Sequence, residues 1–280
     1  MNKILVQAKN DVARALMEDV GRGDVTAALL PKHQVVEAEI ISREPMLVCG
    51  QPWVNEVFQQ VSTDIQSTWL TAEGEWLDKP AALCRLHGPA RSILTAERTA
   101  LNFLQTLSAT ATQTYHYAQQ LKGTNTRLLD TRKTIPGLRI AQKYAVTCGG
   151  GMNHRMGLYD AFLIKENHIK ACGSITQAIV LAKQLHKNVF VEIEVETLDE
   201  LREALAADPD RILLDNFNEE MLEEAVKINQ PTHCALEVSG GITLKNITNI
   251  ARLGVDFISI GAITKSIQAI DLSLLIRNIL

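Results

Sequence analysis

Short apolar runs recur along the second half of the chain, and a helical pattern follows each of them. After Gly123 the runs are TRLLD, AFLIK, VFVEIEV, RILLD, ALEVSGG and FISIGA. Strands that are apolar throughout and separated by helices form a parallel sheet covered by those helices, so the fold is either a β/α barrel or a doubly wound sheet. At least six units at roughly even spacing favour the barrel.

The first half of the chain has a different pattern. Apolar residues at four-residue spacing predict an amphipathic helix over residues 8–20. The β-like stretches VVEAEIIS, MLVCG, IQSTWLT and AALCRLHG, with the helical piece QPWVNEVFQQV between them, predict a small α+β layer. A long helix is predicted from about Arg91 to Leu121. The segment GRGDVTAALL is interpreted as a turn in which Asp24 or Thr26 caps the next few residues, rather than as an adhesion motif.

Composition narrows the functional classes. The chain has 280 residues, a formal net charge of −4, 46% hydrophobic and 21% charged residues. This balance is typical of a soluble enzyme and argues against a nucleic-acid or membrane surface. The N-terminal stretch MNKILVQAKN lacks a long apolar segment, so a cytoplasmic protein is expected. Five widely spaced cysteines without a CxxC motif predict reduced thiols rather than disulfides or a zinc knuckle.

Polar residues follow the apolar runs where each predicted strand ends. In a β/α barrel these positions converge on one mouth, where the chemistry takes place. They comprise Asp130, Arg132 and Lys133 after the first run, Lys165 after the second, Glu192 and Glu194 within the third, Asp215 at the end of the fourth, Ser239, Gly240 and Gly241 after the fifth, and Gly261 after the sixth.

Positive charge is concentrated in one part of this acidic chain. Residues 127–170 contain eight basic and three acidic residues. Most charge clusters are solvated or paired, but the strand-end positions of Arg132, Lys133 and Lys165 instead predict an anion site. The glycine-containing turns at Ser239–Gly241 and Gly261 predict a phosphate site, because such loops let backbone N–H groups approach an anion.

Glu194 and Asp215 do not fit a purely anionic ligand, since bare carboxylates repel a polyanion. They are expected either to pair with Lys133 and Lys165 or to bind ribose hydroxyls and Mg²⁺. His154 and Arg155 follow a run of three glycines and form a further cationic element. Arg98 lies on the apolar stripe of the long helix, which favours an interface role.

Several segments resemble the quinolinate phosphoribosyltransferase family, in order and over nearly the whole chain. They are EDVGRGDVT, ERTALNFLQTLSATAT, DTRKTIPGLR, CGGGMNHRMGLYDAFLIKENH, VEIEVET, ILLDNF, LEVSGGIT and ISIGAIT. DTRKT, HR and SGG are the most specific of these. The resemblance implies an incomplete, open TIM-like β/α barrel (residues 106–265) and an N-terminal α+β sandwich domain (residues 1–105), which residues 266–280 complete. It also implies a homodimer or larger assembly whose active sites are shared between subunits.

The resemblance further implies the substrates and the role of each residue. The reaction would convert quinolinate and 5-phosphoribosyl 1-pyrophosphate into nicotinate mononucleotide, CO₂ and pyrophosphate, in NAD biosynthesis. Arg132, His154, Arg155 and Arg98 of the neighbouring subunit would bind quinolinate. The phosphoribosyl pyrophosphate would be bound by Lys133, Lys165, Glu194, Asp215, Ser239, Gly240, Gly241 and Gly261. Mg²⁺ would arrive with this substrate at Glu194 and Asp215. Family members often have a histidine near Thr264–Ser266, where this chain has Lys265, so Lys265 receives no role.

Two other functions compete with this one. A phosphoribosyltransferase that acts on nicotinate without decarboxylation would need fewer arginines than this chain carries, because its substrate has one carboxylate. A non-catalytic binding protein on the same scaffold would have no need for Lys133, Lys165, Glu194 and Asp215 together. No partner of the nucleic-acid or membrane class is expected.

Overall fold

The computed structural model describes residues 2–280 and divides into two compact units. The first unit runs up to Tyr115 and also contains Thr134–Gly149 and Ile263–Leu280. The second unit consists of His116–Lys133 and Gly150–Ala262. Helix Arg139–Cys148 therefore packs with the first unit although it lies between two strands of the second. The domain boundaries expected from the sequence, after residues 105 and 265, remain a prediction.

The first unit contains a four-stranded antiparallel sheet. Its strand order is β12-β1-β5-β3, and a separate two-stranded sheet pairs β2 with β4. Apolar and polar residues alternate along β1, and the alternation buries Val36, Ala38 and Ile40 on one face of the sheet. The bounds are β1 Val35–Ser42, β2 Met46–Leu47, β3 Gln66–Trp69, β4 Trp76–Leu77, β5 Ala82–Pro89 and β12 Leu272–Ile279. Strand β12 pairs with β1, so C-terminal residues form part of this sheet.

Helices cover the sheet and supply much of the core of the first unit. They are α1 Asn2–Asp19, α2 Gln51–Val61, α3 Ala90–Gln120 and α4 Arg139–Cys148; residues of α3 beyond Tyr115 belong to the second unit. Trp53 is fully buried, and its indole N–H donates to Asp11 Oδ2 at 3.1 Å. Asp24 caps the short 3₁₀ turn Ala27–Leu29 by accepting from the N–H groups of Thr26 and Ala27, so the expected turn is confirmed.

The second unit is built on a six-stranded parallel sheet with the order β6-β11-β10-β9-β8-β7. The order ends at β6 on one side and at β7 on the other, so the expected open barrel is confirmed. The apolar runs form the strands, and Ile193, Ile212, Leu214, Val238 and Ile258 are buried. The bounds are β6 Arg127–Leu129, β7 Phe162–Ile164, β8 Val191–Val195, β9 Arg211–Asp215, β10 Ala235–Ser239 and β11 Phe257–Ser259.

Helices alternate with these strands, and three of them begin with a side-chain cap. Ser174, Thr197 and Asn218 each accept a hydrogen bond from the backbone N–H three residues later. The helices are α5 Glu166–Cys172, α6 Ile175–Leu185, α7 Leu198–Ala206, α8 Glu219–Asn229, α9 Ile247–Arg252 and α10 Ala262–Lys265. Because all pairings in this sheet are parallel, the carboxyl ends of the strands lie on the same side of the sheet.

Among residues 2–280, no helix combines the length and the apolar character that a membrane span requires.

Candidate active site

The end of β6 supplies the first cationic side chains. Arg132 is half-buried and Lys133 is exposed, and the Lys133 N–H donates to the Thr131 hydroxyl at 3.1 Å. Gly261, at the end of β11, lies beside Lys133. A Cβ at position 261 would lie 2.9 Å from Lys133 Cδ, so a residue larger than glycine there would clash with the Lys133 side chain.

Arg155 joins Arg132 through the loop that precedes β7. The His154 N–H donates to the buried Asp130 carboxylate at 2.9 Å, which ties this loop to the end of β6. Arg155 Nη1 donates to the Ala161 carbonyl at 3.1 Å. Partial burial, and next the positive charge of Arg132, lower the pKa of Arg155 below its usual value. Two guanidinium groups that repel each other in this way favour a bound anion between them.

Lys165, Glu194 and Asp215 form a mixed cluster at the ends of β7, β8 and β9. Lys165 makes an ion pair with Glu194, which confirms one of the two roles expected for that carboxylate. Burial and then the charge of Glu194 raise the pKa of Asp215, while Lys165 and Lys133 lower it. The two carboxylates and two lysines are therefore close enough to affect one another's charge.

The fifth strand end completes this edge of the sheet. Ser239 is opposite Asp215 in the β9–β10 register, and the Asn216 N–H donates to the Ser239 carbonyl at 3.0 Å. Gly240 has a φ of +95°, and a Cβ there would lie 2.1 Å from Asn216 Oδ1. Gly241 also has a positive φ, +63°, but a Cβ there would meet nothing within 4 Å. Of these two glycines, Gly240 is required both by its backbone conformation and by the lack of space for a side chain, and Gly241 by its conformation alone.

A buried cluster under these residues was not predicted from the sequence. His154 Nε2 lies 2.8 Å from Glu192 Oε2 and 3.5 Å from Glu237 Oε2, and Arg211 Nη1 lies 2.9 Å from Glu237 Oε2. Burial is the main cause that raises the pKa of Glu192, and it raises that of Glu237 to about 7. The sequence singles out Glu192 within VEIEV but not Glu237 or Arg211, and the available signal for Glu237 was a glutamate inside the apolar strand ALEVS.

Two groups of side chains have the donor atoms for a metal ion among the described residues. In the second unit His154, Glu192 and Glu237 offer atoms within 4.8 Å of one another, and in the first unit Cys49, Glu73 and Cys148 do the same. The Cys49–Glu73–Cys148 group already makes hydrogen bonds within the chain, because Glu73 accepts from the N–H groups of Gly50 and Gln51 and from the Tyr144 hydroxyl. Glu194 and Asp215 are carboxylates, the hard oxygen donors that Mg²⁺ prefers.

Arg98 lies in the first unit, on α3, and its side chain is exposed rather than buried. The free-energy cost of burying this charged side chain, expected from its position on the apolar stripe of the helix, is therefore absent. Arg98 lines a groove of about 610 Å³ together with Val25 and Leu29. These two apolar side chains are 87% and 83% exposed.

Comparison with known proteins places this geometry in a family. The family model for the quinolinate phosphoribosyl transferase C-terminal domain matches residues 110–275, and the one for the N-terminal domain matches residues 24–108. The chain belongs to the quinolinate phosphoribosyltransferase family. Its resemblance to that family is thereby confirmed, and both matched domains occur in the order expected from the sequence.

Individual relatives cover almost the whole chain. A probable nicotinate-nucleotide pyrophosphorylase [carboxylating] of Bacillus subtilis is 40% identical over 96% of this chain and 93% of its own length. The structure of the nicotinate-nucleotide pyrophosphorylase from Francisella tularensis is 50% identical, with a TM-score of 0.92 over 98% of this chain and 97% of that one. Human nicotinic acid phosphoribosyltransferase shares the fold at 12% identity, with a TM-score of 0.69 over 91% and 74%.

Proposed function

We propose that this chain transfers a phosphoribosyl group from 5-phosphoribosyl 1-pyrophosphate to quinolinate, releasing nicotinate mononucleotide, CO₂ and pyrophosphate in NAD biosynthesis. The observation that carries the proposal is the proximity of Arg132 and Arg155 to each other, beside the Lys165–Glu194 ion pair. One strand-end edge thus offers a site for two carboxylates next to a site for a sugar pyrophosphate. The names of the relatives support the same reaction.

The dicarboxylate part of the site consists of Arg132 and Arg155, with Arg98 of the partner subunit, and the His154 ring belongs to it as the group that binds the Arg155 backbone N–H. A guanidinium binds a carboxylate through two parallel N–H···O bonds, so two or three arginines suit a substrate with adjacent carboxylates. A pair of neighbouring guanidiniums is disfavoured without an anion, and quinolinate would relieve that repulsion. The site therefore prefers a dicarboxylate over a monocarboxylate such as nicotinate.

The sugar pyrophosphate part consists of Lys133, Lys165, Glu194 and Asp215. The lysines would bind the pyrophosphate, and the carboxylates would bind ribose hydroxyls. Glu194 and Asp215 would also hold the Mg²⁺ that arrives with this substrate. Burial, and next the charge of Glu194, raise the pKa of Asp215, and a divalent cation would stabilise both carboxylates in their charged form. Ser239 and the backbone N–H groups at Gly240, Gly241 and Gly261 would bind the 5′-phosphate.

The reaction needs charge stabilisation more than it needs a nucleophilic side chain. As pyrophosphate leaves, positive charge develops on the ribose ring, and the pyridine nitrogen of quinolinate attacks the anomeric carbon. The bond to the adjacent carboxylate then breaks and CO₂ departs. The pyridinium ring stabilises the electron pair left on the ring carbon, and a proton from solvent then forms the C–H bond at that carbon. Lys133 and Lys165 would stabilise the departing pyrophosphate, and the arginines would hold the pyridine ring in line.

A homodimer or larger assembly with shared sites is part of the proposal. The supporting observation is the groove that contains Arg98, Val25 and Leu29, together with two apolar side chains on the second unit, Leu158 and Tyr159, that are 75% and 85% exposed. Burying these surfaces between copies would stabilise the assembly through the hydrophobic effect. It would also bring Arg98 to a neighbouring copy. The cytoplasmic location expected from the sequence stays a prediction.

A substrate comparison tests the proposed reaction. Purified protein with Mg²⁺ and the sugar pyrophosphate is incubated with either quinolinate or nicotinate, and nucleotide and CO₂ are both measured. We expect turnover of quinolinate with one CO₂ per nucleotide. Turnover of nicotinate alone would make the protein a non-decarboxylating phosphoribosyltransferase, a class that the shared fold does not exclude. Calorimetric binding of quinolinate without turnover would make it a binding protein.

A further inference from the structure

The imidazole of His154 has partners within the chain at both ring nitrogens. Its Nδ1 accepts a hydrogen bond from the Arg155 backbone N–H at 2.7 Å, and its Nε2 lies 2.8 Å from Glu192 Oε2. A nitrogen that accepts carries no proton, so we assign the ring proton to Nε2, where it points to Glu192. The ring therefore bridges the backbone at Arg155 and the carboxylate of a buried strand residue.

The carboxylates beneath the ring are themselves fixed. Arg211 Nη1 lies 2.9 Å from Glu237 Oε2 and 4.0 Å from Glu192 Oε1. The Arg211 guanidinium is also held over two aromatic rings, 5.1 Å from the centroid of Phe190 and 4.0 Å from that of Phe257. Buried ion pairs add little to stability compared with apolar residues of the same size, so stability alone does not account for this cluster.

The same contacts determine where Arg155 lies. Its backbone N–H is bound by the His154 ring, and its guanidinium donates to the Ala161 carbonyl. The preceding peptide is bound to Asp130 through the His154 N–H. A side chain whose backbone and guanidinium are both held in advance loses less conformational freedom when it binds a ligand.

We propose that Glu192 and Glu237 are positioning residues for Arg155, that they act through the His154 ring, and that this ring contributes orientation rather than a positive charge. The proposal rests on the function proposed above, in which Arg155 binds a carboxylate of quinolinate. It assigns no contact with either substrate to Glu192 or Glu237. The glutamates instead determine how well the dicarboxylate site is formed before the ligand enters.

Substitutions at Glu192 test this role through a comparison of the two substrates. Glu192→Met keeps the volume but removes the acceptor for His154 Nε2, whereas Glu192→Gln keeps an acceptor oxygen. We expect Glu192→Met to raise KM for quinolinate by about tenfold or more, with KM for the sugar pyrophosphate changed by less than about twofold. Glu192→Gln should restore most of the affinity for quinolinate. Glu224→Gln, which alters an exposed ion pair on α8, is the control and should match the wild type.

The outcomes separate positioning from a general structural role. Equal increases in both KM values, or a quinolinate KM that does not change in Glu192→Met, would overturn the proposal. If the wild type fails to turn over quinolinate, the proposed function fails instead. ¹⁵N NMR of the histidine rings in the unmodified protein gives a test that needs neither substrate nor variant. We expect His154 as the neutral Nε2–H tautomer at pH 7, and a doubly protonated His154 would contradict the proposal.

Discussion

Glu237 has no exposed side-chain surface, and its neighbours are Arg211, the carboxyl group of Glu192 and the imidazole of His154. Burial, and next the charge of Glu192, raise the pKa of Glu237 to about 7, whereas an ordinary glutamate titrates near 4.5. Between these two pH values the folded protein binds a proton that the unfolded chain releases. Its stability therefore falls as the pH rises through this window.

We predict that Glu237→Gln flattens this pH dependence. In urea titrations between pH 5 and pH 7.5, the wild type should lose about 2 kcal/mol of unfolding free energy relative to Glu237→Gln. The amide cannot ionise and still accepts a hydrogen bond from Arg211. Glu224→Gln on the exposed surface should follow the wild type. Parallel pH profiles for the wild type and Glu237→Gln would show that Glu237 does not titrate in this range.

At the residue scale, the sequence predicted the strand-end positions but not the buried partners. Lys133 and Lys165 could be singled out because a charge directly after an apolar strand of a barrel lies at the mouth, where ligands bind. The role of Glu237 could not, because the pleat alone does not show whether a strand side chain points into the barrel or towards a helix. The neighbouring contacts that connect Glu237 to His154 come from a distant part of the chain, so spacing carries no signal for them.

At the scale of elements, the turn after β10 packs against the residue that follows β9. Gly240 has a positive φ and lies against Asn216, which itself has a φ of +57° and donates to the Ser239 carbonyl. A side chain at position 240 would collide with Asn216 and displace the backbone N–H groups of the turn. Gly241 has the same handedness of backbone but open space around it.

We predict different effects for alanine at these two glycines. Gly240→Ala should raise KM for the sugar pyrophosphate by about tenfold or more, because the displaced N–H groups lose charge-assisted hydrogen bonds to the 5′-phosphate. Gly241→Ala should cost only about 1 kcal/mol of stability, from its left-handed φ, with a small change in KM. Steady-state kinetics and thermal unfolding of both variants would measure this. A larger kinetic defect in Gly241→Ala would move the phosphate away from Gly240.

Strands and helices with a clear period of apolar residues were predicted well, and very short elements were not. The six apolar runs all form strands, and QPWVNEVFQQV forms α2 with the expected bounds. Strand β4 was missed because two residues show no alternation. Helix α4 was expected only as the helical stretch after the first apolar run, without bounds, because a Pro-Gly turn separates it from that run. Helix α1 begins at Asn2 rather than at residue 8, since nothing in the intervening sequence stops a helix.

At the scale of the whole molecule, the proposed shared site would make activity a property of pairs of subunits. Arg98 would complete the quinolinate site of a neighbouring copy, and Arg132 would act in the site of its own chain. Each site then needs one residue from each of two chains. The consequence can be tested without a structure of the assembly, because mixed assemblies can contain an intact site that neither variant has alone.

We predict that Arg98→Ala and Arg132→Ala subunits complement each other when they are co-expressed with different tags. In a dimer that combines the two, one site keeps both arginines and the other lacks both. Random pairing should restore roughly one quarter of wild-type activity, because half of the dimers are mixed. Each variant expressed alone serves as the control and should be weakly active. Absence of recovery in purified mixed dimers would show that Arg98 and Arg132 act within one chain.

The pairing of β1 with β12 has a consequence for how the chain is made. Arg277 donates a side-chain hydrogen bond to Glu39 across these strands, and the two residues are 238 positions apart in sequence. During translation β1 is synthesised long before its partner, so the edge of the first sheet has no native neighbour while most of the polypeptide emerges. An edge left open for that time is available to wrong partners, and folding of this layer depends on a late, long-range encounter.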